Sequence, residues 1–269
     1  MSFMFKVIQK KKLAENTFML EIAAKDVAAK AMPGQFIILR IDNKGERVPL
    51  TIADKTKRSI ILVVLNVGHT SERLSKLKKG DTILDFIGPL GNASEIEKFG
   101  TVCLIGGGLG IAPIYPIAKA LKENGNKIIT ILGAKTKKHL FWEDKFEKIS
   151  DKKIICTDDG SKGMKGFVST AFEKTVRKER LNRVICIGPP IMMRSIADIS
   201  RRRVKTIVSL NPIMVDGIGM CGSCRVDVGG ETKFACVDGP EFDAHEVDFD
   251  SLMNRNVRYD KIKKHKRCH

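Results

Sequence analysis

The 269-residue sequence predicts an α+β multidomain chain: a small antiparallel β-barrel, then a doubly wound parallel α/β domain, then a small C-terminal module. Three observations carry that prediction. Short apolar runs broken by turn chemistry fill the first hundred residues, strands alternate with helices from Thr101 onward, and a glycine-rich stretch after residue 210 holds three of the seven cysteines. The expected boundaries are 1–97 for the barrel, 98–210 for the α/β domain, 211–245 for the module and 246–269 for a basic tail that lies on the surface or is disordered.

In the first segment Phe18, Leu20 and Ile22 alternate, Pro33-Gly34 precedes the run Phe36-Ile37-Ile38-Leu39, and Ile60 to Val64 forms a further apolar strand. Closing such short strands on each other gives a barrel. The second segment begins with the strand Val102-Cys103-Leu104-Ile105 and a glycine loop. A helix over Ile111 to Asn124, a strand over Lys127 to Leu132 and a helix over Leu140 to Ile149 follow. The strand Ile154-Ile155-Cys156, a helix near 167–178 and the strand Val184-Ile185-Cys186-Ile187 complete the alternation. Each of these four strands runs into a glycine-containing turn at its carboxyl end, the edge at which parallel sheets bind nucleotides.

The formal charge of +17 raises nucleic acid as a partner, but the lysines are scattered, and two Tyr and one Trp leave little to stack on bases. No nucleic-acid partner is expected; a solvated lysine-rich surface fits the composition better, with steering of acidic electron carriers as the alternative. No apolar run approaches the ~20 residues that cross a bilayer, and the N-terminus has no signal-peptide core, so no membrane association and a cytoplasmic location are expected. Cys103, Cys156 and Cys186 lie in apolar runs as small buried hydrophobes, and Cys268 is expected to be free.

The stretch Asp216-Gly217-Ile218-Gly219-Met220-Cys221-Gly222-Ser223-Cys224, with Cys236 further on, carries the ligand spacing of a plant-type iron–sulfur loop. Asp216 stands where that spacing has its first cysteine. A carboxylate keeps the charge of the thiolate it replaces but is harder and less covalent, so a 2Fe-2S cluster held by Asp216, Cys221, Cys224 and Cys236 should have an altered potential. A zinc site of Cys3Asp type and a redox Cys-x-x-Cys pair are the alternatives.

Gly106-Gly107-Gly108-Leu109-Gly110-Ile111-Ala112-Pro113 follows a strand and opens a helix, so its backbone can approach a pyrophosphate at a positive helix end; a tight turn without ligand is the plainer reading. Arg47, in the segment Arg47-Val48-Pro49-Leu50-Thr51, can pair with a diphosphate while a hydroxyl sits near a flavin, or can be a surface arginine beside a turn. Gly68-His69-Thr70-Ser71 can take phosphate or merely cap a helix, with His69 an ordinary loop histidine. Asp158-Asp159-Gly160 can hold a metal, but caps a turn at the nucleotide crevice more simply.

In this order, these features resemble the ferredoxin-NADP reductase superfamily over residues 1 to about 200. With Thr157-Asp158-Asp159-Gly160-Ser161, Cys221-Gly222-Ser223-Cys224-Arg225 and the segment from Phe234 to Phe242, nearly the whole chain resembles the small subunits of NADH-dependent reduced ferredoxin:NADP+ oxidoreductases. The resemblance implies FAD, NAD(H) and a 2Fe-2S cluster as cofactors, and a heterodimer with a larger flavin and iron–sulfur subunit that handles NADP(H) and ferredoxin in electron bifurcation. It implies that Arg47 neutralises the FAD diphosphate, that Pro49, Leu50, Thr51, Gly68, His69 and Thr70 border the flavin, and that Gly107, Gly108, Gly110, Ile111 and Ala112 cradle the dinucleotide. Gly133, Ala134, Asp158, Asp159, Gly160, Gly188 and Pro189 are implied at the same nucleotide site. Asp216 as a ligand belongs to this pattern, whereas the related electron-transfer subunit of dihydroorotate dehydrogenase, the second reading, has a fourth cysteine there. The aromatic residue usual in the superfamily's flavin motif is replaced around Pro49-Leu50, and Cys186 stands one place early for the usual Cys-Gly-Pro, so no catalytic side chain is assigned. No Arg and Ser cluster for a 2′-phosphate follows Gly133-Ala134, which favours NADH, although Lys135, Lys137 and Lys138 are near. A third reading, of another class, is a zinc-stabilised regulatory or binding module.

Overall fold

Alternation in the first ninety residues becomes a single antiparallel sheet in the computed structural model, which describes residues 5–256. Its elements are β1 (Phe5–Ala14), β2 (Thr17–Ala23), α1 (Lys25–Lys30), β3 (Phe36–Arg40), β4 (Val48–Lys55), β5 (Ser59–Leu65), α2 (His69–Lys76), β6 (Thr82–Ile83) and β7 (Asp85–Leu90). The order is β6-β1-β2-β5-β4-β3-β7, so the two end strands are neighbours in sequence and the sheet curls into a nearly closed barrel. Register explains the core: Leu20 pairs with Leu62 and Ile22 with Ile60, all four fully buried on the inner face. Each such side chain contributes roughly 1.5–3 kcal/mol by leaving water.

The second sheet contains β8 (Thr101–Gly107), β9 (Lys127–Ala134), β10 (Lys152–Thr157), β11 (Met164–Lys165), β12 (Arg183–Ile187) and β13 (Thr206–Ser209). Helices α3 (Ile111–Glu123), α4 (Glu143–Ile149), α5 (Val168–Lys178) and α6 (Pro190–Ser200) lie between its strands. Strand order is β11-β10-β9-β8-β12-β13, parallel throughout, and it reverses at β8; that switch point puts the glycine loop in a crevice at the carboxyl edge. All five residues of β12 are buried, as expected of a strand covered on both faces. Helix α3 buries Ile111, Ile114, Ile117, Ala118 and Leu121, and packs on β4 as well as β8, which joins the barrel to the sheet.

Two expectations are corrected here. The helix expected over 140–149 starts at Glu143, because Trp142 adopts φ 58°, a left-handed conformation that a right-handed helix cannot contain. Phe141 and Trp142 instead join Tyr115 and Phe146 in an aromatic cluster over which Lys145 lies, 2.9 Å from Asp54 of β4. The surface tail expected from 246 onward begins with ordered structure. Beyond the hairpin β14 (Arg225–Val228) and β15 (Glu231–Phe234), strand β16 (Glu241–Asp243) adds antiparallel to β13 at the sheet edge. A terminal helix, α7 (249–256), then buries Phe249 and Leu252. Asp248 caps it, its carboxylate accepting from the Ser251 amide at 2.9 Å. Residues 257–269, Cys268 among them, lie outside the described residues. Cys103, Cys156 and Cys186 are buried, and burial pushes each thiol well up. No helix among the described residues is long and apolar enough to cross a membrane.

Candidate active site

Barrel, sheet and C-terminal module meet at a cleft of about 600 Å³. Its barrel wall is Phe36 with Pro49, Leu50 and Thr51, which the register sets side by side: Phe36 opposes Thr51 across β3 and β4. The sheet wall is Gly107, Gly108, Gly110 and Ala112 together with Gly188 and Pro189. A Cβ on Gly110 would collide with the Ile187 carbonyl, so this glycine lets the β8 and β12 turns close on each other. Gly108 differs: its φ is +58°, and a Cβ there would meet nothing within 4 Å, so its backbone faces open space in the crevice. Helix α3 begins directly behind this loop, and its unpaired N–H groups supply positive potential for an anion.

Not every anticipated residue reaches this cleft. Ile111 is fully buried in the core below the loop. Gly133 is packed against Val168, a strand-to-helix contact that leaves no room for a side chain, and Ala134 is buried beside it. Asp159 accepts from the Ser161 amide and hydroxyl at 2.9 and 2.6 Å, and Gly160 takes φ +77°, so this segment is a capped turn beyond the crevice edge. The Asp158 side chain is exposed next to it. Gly68 is the N-cap of α2, with Ser71 Oγ accepting from its amide at 2.9 Å; His69 is exposed, and Thr70 is buried with its hydroxyl on Glu46. Arg47 is exposed at the start of β4, its guanidinium 4.0 Å from Asp85, which already binds Arg40 at 2.6 Å. Of the lysines after Ala134, Lys135 lines the cleft.

Sequence reasoning missed the third wall, made by Asn211 and Met214 ahead of the cysteine loop and by Leu252 and Asn256 of α7. Leu252 and Asn256 are four residues apart on one helical face, a signal present in the sequence but masked by the basic composition around it.

The cysteine loop leaves this wall two residues after Met214. Asp216 accepts from the amides of Ile218 at 2.9 Å and Cys221 at 2.5 Å, and these N–H donors, Ile218 first, hold its carboxyl below the usual range. Cys224 and Cys236 are buried with their sulfurs 3.2 Å apart, while Cys221 is exposed with Sγ 3.0 Å from the Ser223 hydroxyl. That hydrogen bond is the main reason the Cys221 thiol is lowered; burial, then the Cys224 neighbour, pushes Cys236 up to about 12. Among the described residues no three His, Cys, Asp or Glu side chains converge as a finished metal cage. The donor chemistry nevertheless fits a cationic iron centre: two buried sulfurs face each other, with an exposed thiol and a carboxylate on the same loop, and a cation would reverse the penalty on Cys236. A Cys221–Cys224 redox pair fits less well, because the structure pairs Cys224 with Cys236.

Comparison with known proteins places these parts. The iron–sulfur cluster binding domain of dihydroorotate dehydrogenase B matches residues 211–248, and the oxidoreductase NAD-binding domain matches 104–198. A dihydroorotate dehydrogenase B (NAD(+)) electron transfer subunit homolog of Thermotoga maritima is 53% identical, the alignment covering 94% of this chain and 90% of that protein. The electron transfer subunit of that enzyme from Bacillus caldolyticus is 32% identical over 90% of this chain and 96% of its own length. Among solved structures, a chain of the NADH-dependent reduced ferredoxin-NADP oxidoreductase, studied for flavin-based electron bifurcation, superposes with a TM-score of 0.91 at 49% identity over 98% of both chains. Phthalate dioxygenase reductase, at 16% identity and a TM-score of 0.60 over 84% of this chain and 86% of its own, shares the fold.

Proposed function

This chain belongs to the family of pyridine-nucleotide-dependent electron-transfer subunits that includes the small subunit of NADH-dependent reduced ferredoxin-NADP oxidoreductase, and on that premise we propose that it exchanges electrons between NAD(H) and a larger flavin and iron–sulfur subunit in electron-bifurcating ferredoxin:NADP+ oxidoreduction. One observation carries the reading: the wall of the nucleotide cleft continues through Asn211 and Met214 straight into the loop that begins at Asp216.

When bound, FAD, NAD(H) and the 2Fe-2S cluster supply hydride acceptance and its division into single electrons. The chain supplies placement. Thr51 offers a hydroxyl at the barrel wall, Pro49 and Leu50 keep that wall apolar, and Arg47 brings the cation for a diphosphate from outside the cleft. The glycine loop at 107–112, with the N-terminus of α3, takes the dinucleotide phosphates, and Gly188 and Pro189 limit the opposite side. Asp216, Cys221, Cys224 and Cys236 hold the iron. Around exposed Cys221 stand Met220, Ile218, Val215 and Val237, at 82, 52, 49 and 42% exposure, an apolar collar that suits burial against a partner subunit. NADH is the nucleotide on this reading, since no Arg and Ser cluster for a 2′-phosphate follows Gly133-Ala134 at the carboxyl end of β9.

A second reading, the electron-transfer subunit of dihydroorotate dehydrogenase, is supported by the family match at 211–248 and the names of several relatives. The complex purified with its native partner separates the two. Bound FAD and iron with NADH-dependent coupling of ferredoxin and NADP+ is the expected result; dihydroorotate oxidation in its place would select the second reading, and flavin reduction by NADPH as efficient as by NADH would overturn the nucleotide assignment.

A further inference from the structure

Helix α7 touches both the cleft and the cysteine loop. Its Leu252 and Asn256 line the cleft, and between them Arg255 Nη2 donates to the Ser223 carbonyl at 3.2 Å. Ser223 lies between Cys221 and Cys224, and its hydroxyl is 3.0 Å from Cys221 Sγ. The helix is fixed independently of this contact: Ser251 Oγ donates to Asp227 at 2.6 Å, Asp250 pairs with Arg194 of α6 at 2.7 Å, and Leu252 is buried. Among the described residues no carboxylate lies within 4.0 Å of the Arg255 guanidinium.

From this placement we propose that Arg255 is a positioning residue that raises the reduction potential of the iron–sulfur site through Ser223. The inference rests on the cluster reading given above. Reduction at that site adds one electron, drawn from flavin reduced by NADH, and increases the local negative charge by one unit. A fixed guanidinium stabilises the reduced form more than the oxidised one. A metal-bound thiolate can only accept, so the Ser223 hydroxyl must be the donor to Cys221 Sγ; hydrogen bonds to ligand sulfur act in the same direction. Arg255, by holding the Ser223 carbonyl, keeps that donor aimed. Charge and hydrogen bond are therefore coupled through one residue.

Anaerobic redox titration followed by EPR, on the purified flavin- and iron-loaded protein, tests this. Arg255→Gln should retain wild-type iron and shift the potential to more negative values with altered g-values. Arg255→Lys should recover part of the shift by restoring charge without the planar fork. Ser223→Ala should also shift it negatively, and the double variant Ser223→Ala/Arg255→Gln should shift it by less than the sum of the two. A fully iron-loaded Arg255→Gln protein with wild-type potential and g-values overturns the proposal. Should Arg255→Gln purify without iron, unchanged potentials in both Arg255→Lys and Ser223→Ala overturn it equally. A wild-type protein devoid of iron would instead defeat the cluster reading on which it rests.

Discussion

The glycine loop at 106–110 and the cysteine loop at 216–224 use the same small residue in sites finished to different degrees. In the first, Gly110 is pressed against the Ile187 carbonyl and only Gly108 faces open space, so the proposed nucleotide seat is built by packing alone. In the second, Gly217 takes φ +74° against Ile38 and Leu90 of the barrel, which anchors one end of the loop, yet Cys221 remains exposed and the four donors do not converge. A binding site made of backbone can be complete before its ligand arrives; one made of anionic side chains repels itself until a cation enters.

The largest expected effect attacks the finished loop. Gly110→Ala must move the backbone of either the loop or the β12 turn, and should cost about 3 kcal/mol of stability, read as a lowered denaturation midpoint, with loss of nucleotide binding. An unchanged midpoint would show that the loop is not packed as described. Asp216→Ala is the counterpart in the unfinished loop. It should leave the fold intact by circular dichroism but give a protein poor in iron or with a labile cluster, whereas Asp216→Cys should keep a 2Fe-2S cluster with shifted potential and g-values. Full iron and an unchanged spectrum in Asp216→Ala would remove Asp216 from the ligand set.

Arg47→Ala asks whether the barrel side depends on side-chain charge as the cysteine loop does. Loss of a charge-assisted contact to the FAD diphosphate should weaken flavin binding by roughly 1.5–3 kcal/mol, and flavin content after purification is the readout. Gly108→Ala sharpens the contrast with Gly110. Its Cβ meets nothing, so only the left-handed backbone opposes it, at about 1 kcal/mol; stability should fall slightly while the dissociation constant for NADH rises.

The smallest effect lies at the seam between the sheet and the module. Glu241 in β16 hydrogen-bonds Ser94 at 2.6 Å, and burial pushes its carboxyl above the usual range. A folded-state pKa raised over the unfolded value gives stability that is full below the unfolded pKa and is lost as pH rises through the folded one. Glu241→Gln should therefore flatten the pH dependence of stability from the ordinary glutamate range upward; an unaltered slope in denaturation series across that range would contradict it.

Much of this was legible in the sequence. Period-two alternation at Phe18, Leu20 and Ile22 and the rhythm of strands and helices after Thr101 follow directly from burying one face of a barrel strand and both faces of a parallel sheet. Glycines 107, 108 and 110, the Pro49 to Thr51 run and Gly188-Pro189 line one cleft, and motif spacing and strand ends single them out in the sequence. The rest depended on tertiary contacts without local signature. Strand β16 is only three residues long, Trp142 breaks its helix to join an aromatic cluster, and α7 is short and lies beside a basic run that dominates composition. Gly133 is packed against Val168, and a glycine pattern does not reveal what stands opposite it.

Strand β16 closes the edge of the second sheet although it is encoded after the entire cysteine loop. During synthesis β13 therefore leaves the ribosome with an unpaired edge, the kind of edge that recruits foreign strands, and keeps it until residues 241–243 have emerged. By then Asp216, Cys221, Cys224 and Cys236 have already passed out of the exit tunnel. Sheet completion thus waits until the whole cysteine segment has been made.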